Sequence, residues 1–339
     1  VSGVYTLGMK SDDGCRVYVD GKKVIDAWTE HSVQMDEAMI KLEAGKTYKL
    51  QVEYFDNGGD CFAGLYWKAP SAGSQNVLAR FGDAGKVAAE CDVTVAVLGI
   101  NKSIEREGQD RFSLELPVDQ QEFIKELYKV NPNTVVVLVA GSSMAVNWMD
   151  ENVPAILNAW YPGEQGGNAV AEVLFGDYNP GGRLPLTYYN SLDEIPAFDN
   201  YSVKGRTYQY FEGQPLYEFG YGLSYTKFRY KSKGVNVEQD TVKVSFEVSN
   251  TGKYDGDEVT QVYVKYPETG TYMPLKQLHG FKRVHIKKGK TSKVTIGVPK
   301  KDLRYWDEQE RKFVTPKGEY TFMVGASSED IKFRETVGL

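Results

Sequence analysis

The sequence has few residues that could form a metal site or a disulfide framework. Its 339 residues include only three cysteines and three histidines. Cys15, Cys61 and Cys91 form no Cys-x-x-Cys pair, and the histidines are widely scattered, so the spacing argues against a zinc site. A disulfide between Cys15 and Cys61 is left open, because spacing alone does not decide it.

An excess of positive charge is also missing. The formal net charge is -6 and the isoelectric point is about 5.4, which disfavours a nucleic-acid partner. The basic segment 282–293 alternates with apolar residues and contains a turn, a pattern typical of the solvent face of a hairpin.

Long apolar runs are absent as well. No run reaches the roughly 18 residues of a membrane span, and the first ten residues, VSGVYTLGMK, carry no signal-peptide pattern. Because the chain opens inside a predicted strand, we expect a fragment or a processed product, and its compartment is not readable from the residues.

What is present indicates two or three globular domains, since 41% of the residues are hydrophobic and 25% are charged. Residues 1–78 alternate apolar and polar positions between glycine turns, which predicts a β-sandwich or part of one. Residues 79–231 predict an α/β domain, and residues 232–339 return to alternation and predict a small sandwich of immunoglobulin-like architecture.

The middle segment predicts a parallel sheet. Residues 92–100 and 133–141 are apolar throughout, and a helical pattern lies between them with Phe123, Ile124 and Leu127 on one face and Pro117 suited to the first turn. Strands of this kind form parallel sheets covered on both faces, and such sheets place ligands at the carboxyl ends of their strands.

The charged loop EREGQDR, residues 105–111, directly follows the first of these strands. Gly108 permits a sharp turn, Glu105 and Glu107 are expected on opposite sides of an extended segment, and Asp110 is expected to pair with Arg111. Adjacent carboxylates disfavour each other's charged form, which is the condition that a general acid requires. The simpler alternative is a solvated loop that only confers solubility.

Three long motifs in the middle segment resemble glycoside hydrolase family 3, the family of β-glucosidases, β-xylosidases and exo-glucanases. They are GINKSIEREGQDRFSLELP, NAWYPGEQGGNAVAEVLFGDYNPGGRLPLTYY and GRTYQYFEGQPLYEFGYGLSYTKF. SDDGCRVYVDGKKVIDAW and YFDNGGDCFAGLYW resemble the protective-antigen-type carbohydrate-binding sandwich that some members insert. The tail, with VSFEVSNTGKYDGDEVTQVYVKYP and GEYTFMVGASSEDI, is similar to the family's fibronectin type III-like module.

The resemblance implies an exo-acting, retaining β-glycosidase. A nucleophilic aspartate attacks the anomeric carbon, and a glutamic acid protonates the leaving oxygen. The glutamate before the glycine of the family's E-G-x-D-R pattern is Glu107 here, which leaves Glu105 less favoured. Asp60 and Phe62 are candidate substrate contacts, because loops of the inserted sandwich rim the active-site mouth; for Phe62, packing within the sandwich is an equal alternative. No cofactor is implied.

The sequence departs from the family in one large respect. Members begin with a TIM barrel that supplies the nucleophile near an S-D-W motif, and neither precedes Val1. We therefore expect the N-terminal barrel portion of the same enzyme, as a separate chain, to dock against apolar surface left uncovered here. The resemblance suggests a secreted or periplasmic enzyme.

Other sites are weaker candidates. GSSMA, residues 141–145, approaches a serine nucleophile elbow, but the downstream histidines fall in the C-terminal sandwich. No G-x-G-x-x-G indicates a dinucleotide site. Asp12, Asp13 and the DNGGD segment are more typical of turns than of calcium ligands.

The phrases WYPGEQGG and DNYSVKGRTYQYF lean towards β-xylosidases, with β-glucosidase almost as well supported. A carbohydrate-binding or scaffolding protein without hydrolytic activity is the rival hypothesis.

Overall fold

A computed structural model describes residues 2–59, 61–69, 78, 81–108, 110–111, 113–197, 200–270 and 272–339. It divides into two compact units, Val1–Asp83 and Ala84–Leu339. None of the helices in these ranges is both long enough and apolar enough to be a transmembrane span.

Within its described residues, the first unit contains six antiparallel strands in two three-stranded sheets. The sheet orders are β4-β1-β6 and β3-β2-β5. The strands are β1 (Gly3–Ser11), β2 (Cys15–Val19), β3 (Lys22–Ala27), β4 (Gln34–Leu42), β5 (Leu50–Tyr54) and β6 (Ala63–Lys68). Alternate residues such as Leu7, Met9 and Val17 point into a shared core, as the period-two pattern predicts.

The three cysteines are free, so the disulfide that the sequence left open does not form. Cys15 lies in this core with no exposed surface, whereas Cys61 and Cys91 are exposed. Burial raises the pKa of the Cys15 thiol. Cys15 therefore behaves as a small apolar core residue.

The second unit begins with the predicted parallel sheet, in the order β7-β8-β9. Its strands are β7 (Thr94–Gly99), β8 (Thr134–Val139) and β9 (Ala155–Asn158), and the helices of this unit are α1 (Ala84–Glu90), α2 (Val118–Val130), α3 (Asn147–Asn152), α4 (Gly166–Phe175) and α5 (Thr207–Tyr210). Helix α2 buries Ile124 and Leu127, in agreement with the predicted face, and Pro117 occupies its N-cap, one position before the helix begins.

The parallel sheet is covered unequally. Val136, Val137 and Leu138 of β8 are 0–3% exposed, but β7 leaves Val95 46% and Val97 64% exposed. No other described strand pairs with the free edge of β7. Helix α4 is apolar in sequence, yet its Phe175 is 85% exposed. The expectation of full cover on both faces is therefore not met within the described residues.

The rest of the second unit is a C-terminal sandwich, residues 228–338. Its sheets have the orders β10-β11-β14 and β13-β12-β17-β18, with a separate hairpin β15-β16. The strands are β10 (Phe228–Val237), β11 (Thr241–Asn250), β12 (Gly256–Lys265), β13 (Gln277–Ile286), β14 (Thr291–Pro299), β15 (Tyr305–Asp307), β16 (Lys312–Val314), β17 (Glu319–Gly325) and β18 (Ile331–Gly338). Phe246, Tyr320 and Phe322 fill a core shared by both sheets.

A buried ion pair joins the C-terminal sandwich to the segment that follows α4. Arg183 Nη2 lies 2.8 Å from Glu258 Oε2, and the two side chains are 8% and 4% exposed. Tyr230 donates a 2.6 Å hydrogen bond to the other oxygen of Glu258. Ser327 donates a 2.7 Å bond to Glu218, so several polar contacts hold this junction together.

Candidate active site

Loops that follow all three parallel strands meet at the carboxyl edge of the sheet. Tyr161, after β9, donates to the carbonyl of Ile100, after β7, at 3.4 Å. Gly141, after β8, lies against the Tyr161 ring, since a Cβ at that position would come within 2.5 Å of it. Parallel α/β sheets generally place their sites at this edge, and the charged loop lies here.

Glu107 lies at the tip of the charged loop and is exposed to solvent. Gly108 has a φ of 73°, a left-handed conformation that suits glycine and reverses the chain directly after Glu107. Residues 102–104 and 107–108 form turns with a bend at Glu105, so the loop is not extended over its length as expected, although Glu105 is part-buried and Glu107 is exposed. No hydrogen bond or ion pair joins the Glu107 carboxylate to another described residue, which leaves it available to an incoming group.

Glu105, by contrast, turns inward and is engaged. Its Oε2 lies 3.2 Å from Arg111 Nε, with the Arg111 and Glu105 side chains 12% and 20% exposed. Ser142 donates a 2.6 Å hydrogen bond to the same oxygen. The sequence predicted a pair between Asp110 and Arg111; the structure pairs Arg111 with Glu105 and leaves Asp110 exposed. Burial explains the difference, because the largely buried guanidinium of Arg111 needs a carboxylate that is also shielded from solvent.

Arg111 also binds the loop that follows β8. Its Nη2 donates to the carbonyl of Ser143, and its Nη1 lies 3.4 Å from the carbonyl of Leu114 and 2.8 Å from Met144 Sδ. The backbone adds a 2.8 Å bond from the Ala145 amide to Leu114. The base of the charged loop is thus fixed to a second loop of the same edge.

Burial perturbs the ionisable groups around Arg111. It lowers the pKa of Arg111, and the charge of Glu105 acts in the opposite direction. Burial also raises the pKa of Tyr188 to about 12. The Tyr188 hydroxyl accepts a 2.9 Å bond from Asn158 at the end of β9. At neutral pH this surrounding therefore consists of a cationic Arg111 and a protonated Tyr188.

Sequence reasoning did not identify the roles of Ser142 and Ser143. It considered Ser143 as a nucleophile, but in the structure the Ser143 carbonyl accepts from Arg111 while the Ser142 hydroxyl binds Glu105. The position of GSSMA just after β8 indicates these contacts, because the ends of neighbouring parallel strands lie side by side and bring their loops together.

The other predicted site residues lie in the first unit. Asp60 is outside the described residues. Phe62 directly precedes β6 and is 38% exposed, with Lys10 Nζ 5.4 Å from the centre of its ring. This environment leaves both the sugar-stacking role and the packing role of Phe62 as predictions.

Two of the aspartates named as possible calcium ligands, Asp13 and Asp56, bind backbone amides. Asp13 accepts from His31 and Asn57 at 3.2 and 2.6 Å, and Asp56 accepts from Gly58 at 2.8 Å. The Asp56 contact, two residues along the chain, is that of a turn, whereas Asp13 links segments that are distant in sequence. Within the described part of the chain, no three side chains of His, Cys, Asp or Glu form a group that could hold a metal ion.

The charged loop lies inside a family match that covers more than half of the chain. The model for the glycosyl hydrolase family 3 C-terminal domain matches residues 17–225. The chain belongs to glycoside hydrolase family 3. A second model, for a fibronectin type III-like domain, matches residues 258–328, which confirms the predicted type of the C-terminal sandwich.

Individual proteins match over four fifths of the chain or more. A xylan 1,4-beta-xylosidase from Xylanibacter ruminicola is 34% identical over 97% of this chain and 39% of its own length. A periplasmic beta-glucosidase from Salmonella typhimurium is 33% identical over 82% of this chain and 38% of its own length. The crystal structure of a beta-glucosidase from Kluyveromyces marxianus with glucose has a TM-score of 0.73 at 31% identity, over 100% of this chain and 43% of that one. The chain therefore spans about two fifths of the length of these family 3 relatives.

Proposed function

We propose that the chain is the acid/base-bearing part of an exo-acting, retaining β-glycosidase that removes the non-reducing terminal sugar of β-linked oligosaccharides. The observation that carries the proposal is Glu107: an exposed, unengaged carboxylate on a loop held at the carboxyl edge of a parallel sheet, within the family match. Its solvent-facing tip is open to a substrate, while the base of the loop is fixed by Glu105 and Arg111.

Glu107 acts in both half-reactions of this mechanism. In the first, it donates its proton to the glycosidic oxygen while an aspartate attacks the anomeric carbon and the aglycone leaves. In the second, the Glu107 carboxylate takes a proton from water, which attacks the glycosyl-enzyme and releases the sugar. The two carboxyl groups of such pairs lie about 5 to 5.5 Å apart.

The aspartate nucleophile and most of the sugar pocket come from the family's barrel portion, on the same polypeptide or on a separate chain. Two observations support this part of the proposal: the relatives are more than twice as long as the chain, and Val95, Val97 and Phe175 expose apolar side chains. A parallel sheet normally buries both faces. The barrel portion would cover them.

The first unit is proposed to be the protective-antigen-type sandwich of the resemblance. Its two facing three-stranded sheets support a sandwich. In this role the loop with Asp60 and Phe62 limits the length of the substrate at the pocket mouth. Phe62→Ala should weaken binding of oligosaccharides while leaving hydrolysis of an aryl monosaccharide unchanged; an equal effect on both substrates would reject this role.

The deciding experiment replaces Glu107 with Gln in the catalytically complete enzyme. Turnover of an unactivated disaccharide should fall by about 10²- to 10⁴-fold, because the leaving alkoxide needs a proton. Hydrolysis of a dinitrophenyl glycoside, whose leaving group departs unprotonated, should keep its kcat/KM, and azide should raise its turnover by attacking the glycosyl-enzyme. Full activity of the variant on the disaccharide would reject the acid/base role of Glu107. A complete parent enzyme that hydrolyses neither glycoside would instead favour a binding or scaffolding protein.

Specificity and compartment need separate measurements. We propose β-xylosidase or β-glucosidase activity. A comparison of kcat/KM for an aryl β-xyloside with kcat/KM for an aryl β-glucoside decides between them. We also propose an exported enzyme, in line with the periplasmic relative. Fractionation of the native cells tests this, because recovery of the enzyme from the cytoplasm alone would contradict export.

A further inference from the structure

The pair formed by Glu105 and Arg111 bridges the charged loop across its base. The two residues flank Glu107, and their contact of 3.2 Å closes the loop between them. Gly108 turns the chain at the tip with a φ of 73°. The backbone on both sides of Glu107 is therefore constrained, although its carboxylate is free.

The same pair fixes the loop to the neighbouring strand. Ser142 binds the Glu105 oxygen that faces Arg111, and Arg111 itself donates to the Ser143 carbonyl. Both serines follow β8, a strand whose central residues are 0–3% exposed. These contacts thus attach the charged loop to a buried strand of the sheet, so the loop does not move freely in solvent.

Proton transfer depends strongly on such placement. A misplacement of about 1 Å can cost about 10²-fold in rate. The contacts among Glu105, Arg111 and Ser142 are charge-assisted or protected from solvent. A planar guanidinium with several donors also restricts the orientation of its partners as well as their distance.

We propose that Glu105 and Arg111 are positioning residues that hold Glu107 in reach of the glycosidic oxygen, with Ser142 orienting Glu105. This inference rests on the proposed function. Neither residue touches the substrate; both act through the backbone of the charged loop.

The test compares Glu105→Gln and Arg111→Lys in the catalytically complete enzyme. Glu105→Gln keeps the size of the side chain but removes its charge, and Arg111→Lys keeps the charge but loses the fork that reaches Ser143. Each should lower kcat/KM for an unactivated disaccharide by about tenfold to a hundredfold. For a dinitrophenyl glycoside, kcat/KM should stay within about twofold, because that step needs no proton.

An exposed ion pair in the same domain provides the matched control. Lys129 and Glu126 on α2 lie 2.6 Å apart, with side chains 67% and 38% exposed. Glu126→Gln should leave kcat/KM unchanged for both the disaccharide and the dinitrophenyl glycoside. If the Arg111 variant does not fold, Ser142→Ala removes only the hydroxyl that orients Glu105 and should show the same selectivity with a smaller loss.

Equal losses on both substrates, or no loss on either, would overturn the positioning role. The result for Glu107→Gln keeps the two proposals separate. If Glu107→Gln loses disaccharide hydrolysis but Glu105→Gln does not, only the positioning role fails. If Glu107→Gln retains full activity, the acid/base role of Glu107 fails, and the positioning role fails with it.

Discussion

The C-terminal sandwich and the parallel sheet belong to one compact unit but bury their apolar residues very differently. In the sandwich, Val244, Phe246 and Val248 of β11 are 0–1% exposed. In the parallel sheet, Val95 and Val97 of β7 are 46% and 64% exposed. Both strands are rich in valine, so composition does not explain the difference.

The difference shows which part of the second unit buries its apolar residues without a further partner. The sandwich supplies both halves of its own core, because its two sheets face each other. The described parallel sheet has a buried central strand but an uncovered edge strand. Apolar surface left in water forgoes about 25 cal/mol per Å², so this sheet gains stability from whatever covers it.

The largest expected effect tests the junction between these regions. Glu258→Ala leaves Arg183 buried without its carboxylate, and we expect a loss of about 3–5 kcal/mol in the free energy of unfolding. Urea denaturation measures it. Breaking the exposed pair of Lys243 and Glu238, at 48% and 41% exposure, should cost under about 1 kcal/mol.

A double variant, Arg183→Met with Glu258→Leu, is the second control for the junction. The double variant removes both buried charges and leaves only the Tyr230 hydroxyl without its acceptor, so we expect a smaller loss of stability than for Glu258→Ala. A double variant as unstable as Glu258→Ala would show that packing, rather than the unpaired charge, causes the loss.

A matched pair of phenylalanines sharpens the contrast directly. Phe246→Ala in the sandwich core, where the side chain is 1% exposed, should cost about 3–5 kcal/mol. Phe175→Ala on α4, where the side chain is 85% exposed, should change the stability of this chain by less than about 0.5 kcal/mol. Similar losses from both variants would mean that α4 is already covered in solution.

Within the parallel sheet, Val97 and Val137 form a smaller test because they are partners in register. Val137→Thr puts an unpaired hydroxyl at a position 2% exposed and should cost about 1–3 kcal/mol. Val97→Thr should be almost neutral in this chain alone, but should cost about 1–3 kcal/mol in the complete enzyme. Neutrality in both contexts would contradict the proposed cover over β7.

The smallest effect concerns pH and the sandwich. Burial lowers the pKa of His279 from 6.5, and the charge of Asp302 partly opposes this. The unfolded chain therefore binds this proton more readily, so stability should be greatest above pH 6.5 and fall on acidification below it.

His279→Gln should flatten the decline in the unfolding midpoint below pH 6.5, as measured by thermal denaturation in a pH series. His285→Gln, at a histidine side chain 59% exposed, is the matched control and should retain the decline. An unchanged slope in His279→Gln would assign the decline to other groups.

Some features of the candidate site could be predicted because they depend on neighbours in sequence. The apolar run before residue 100 predicted a buried strand, and the charged residues after it predicted a loop at the carboxyl end. The exposed valines of β7 could not be predicted, since an apolar run reads the same whether its neighbour is present or absent.

The sequence by itself determined the periodicities of the two sandwiches, the parallel strands and the edge of the sheet where the charged loop lies, because these follow from local alternation and chain direction. It did not determine which carboxylate of that loop is free. Glu105 and Glu107 have the same chemistry and are two residues apart, and their fates differ because Ser142, 37 residues beyond Glu105 in sequence, and Arg111 approach only one of them. Tertiary structure decided this, since contacts between distant segments exist only once the loops of neighbouring strands are brought together.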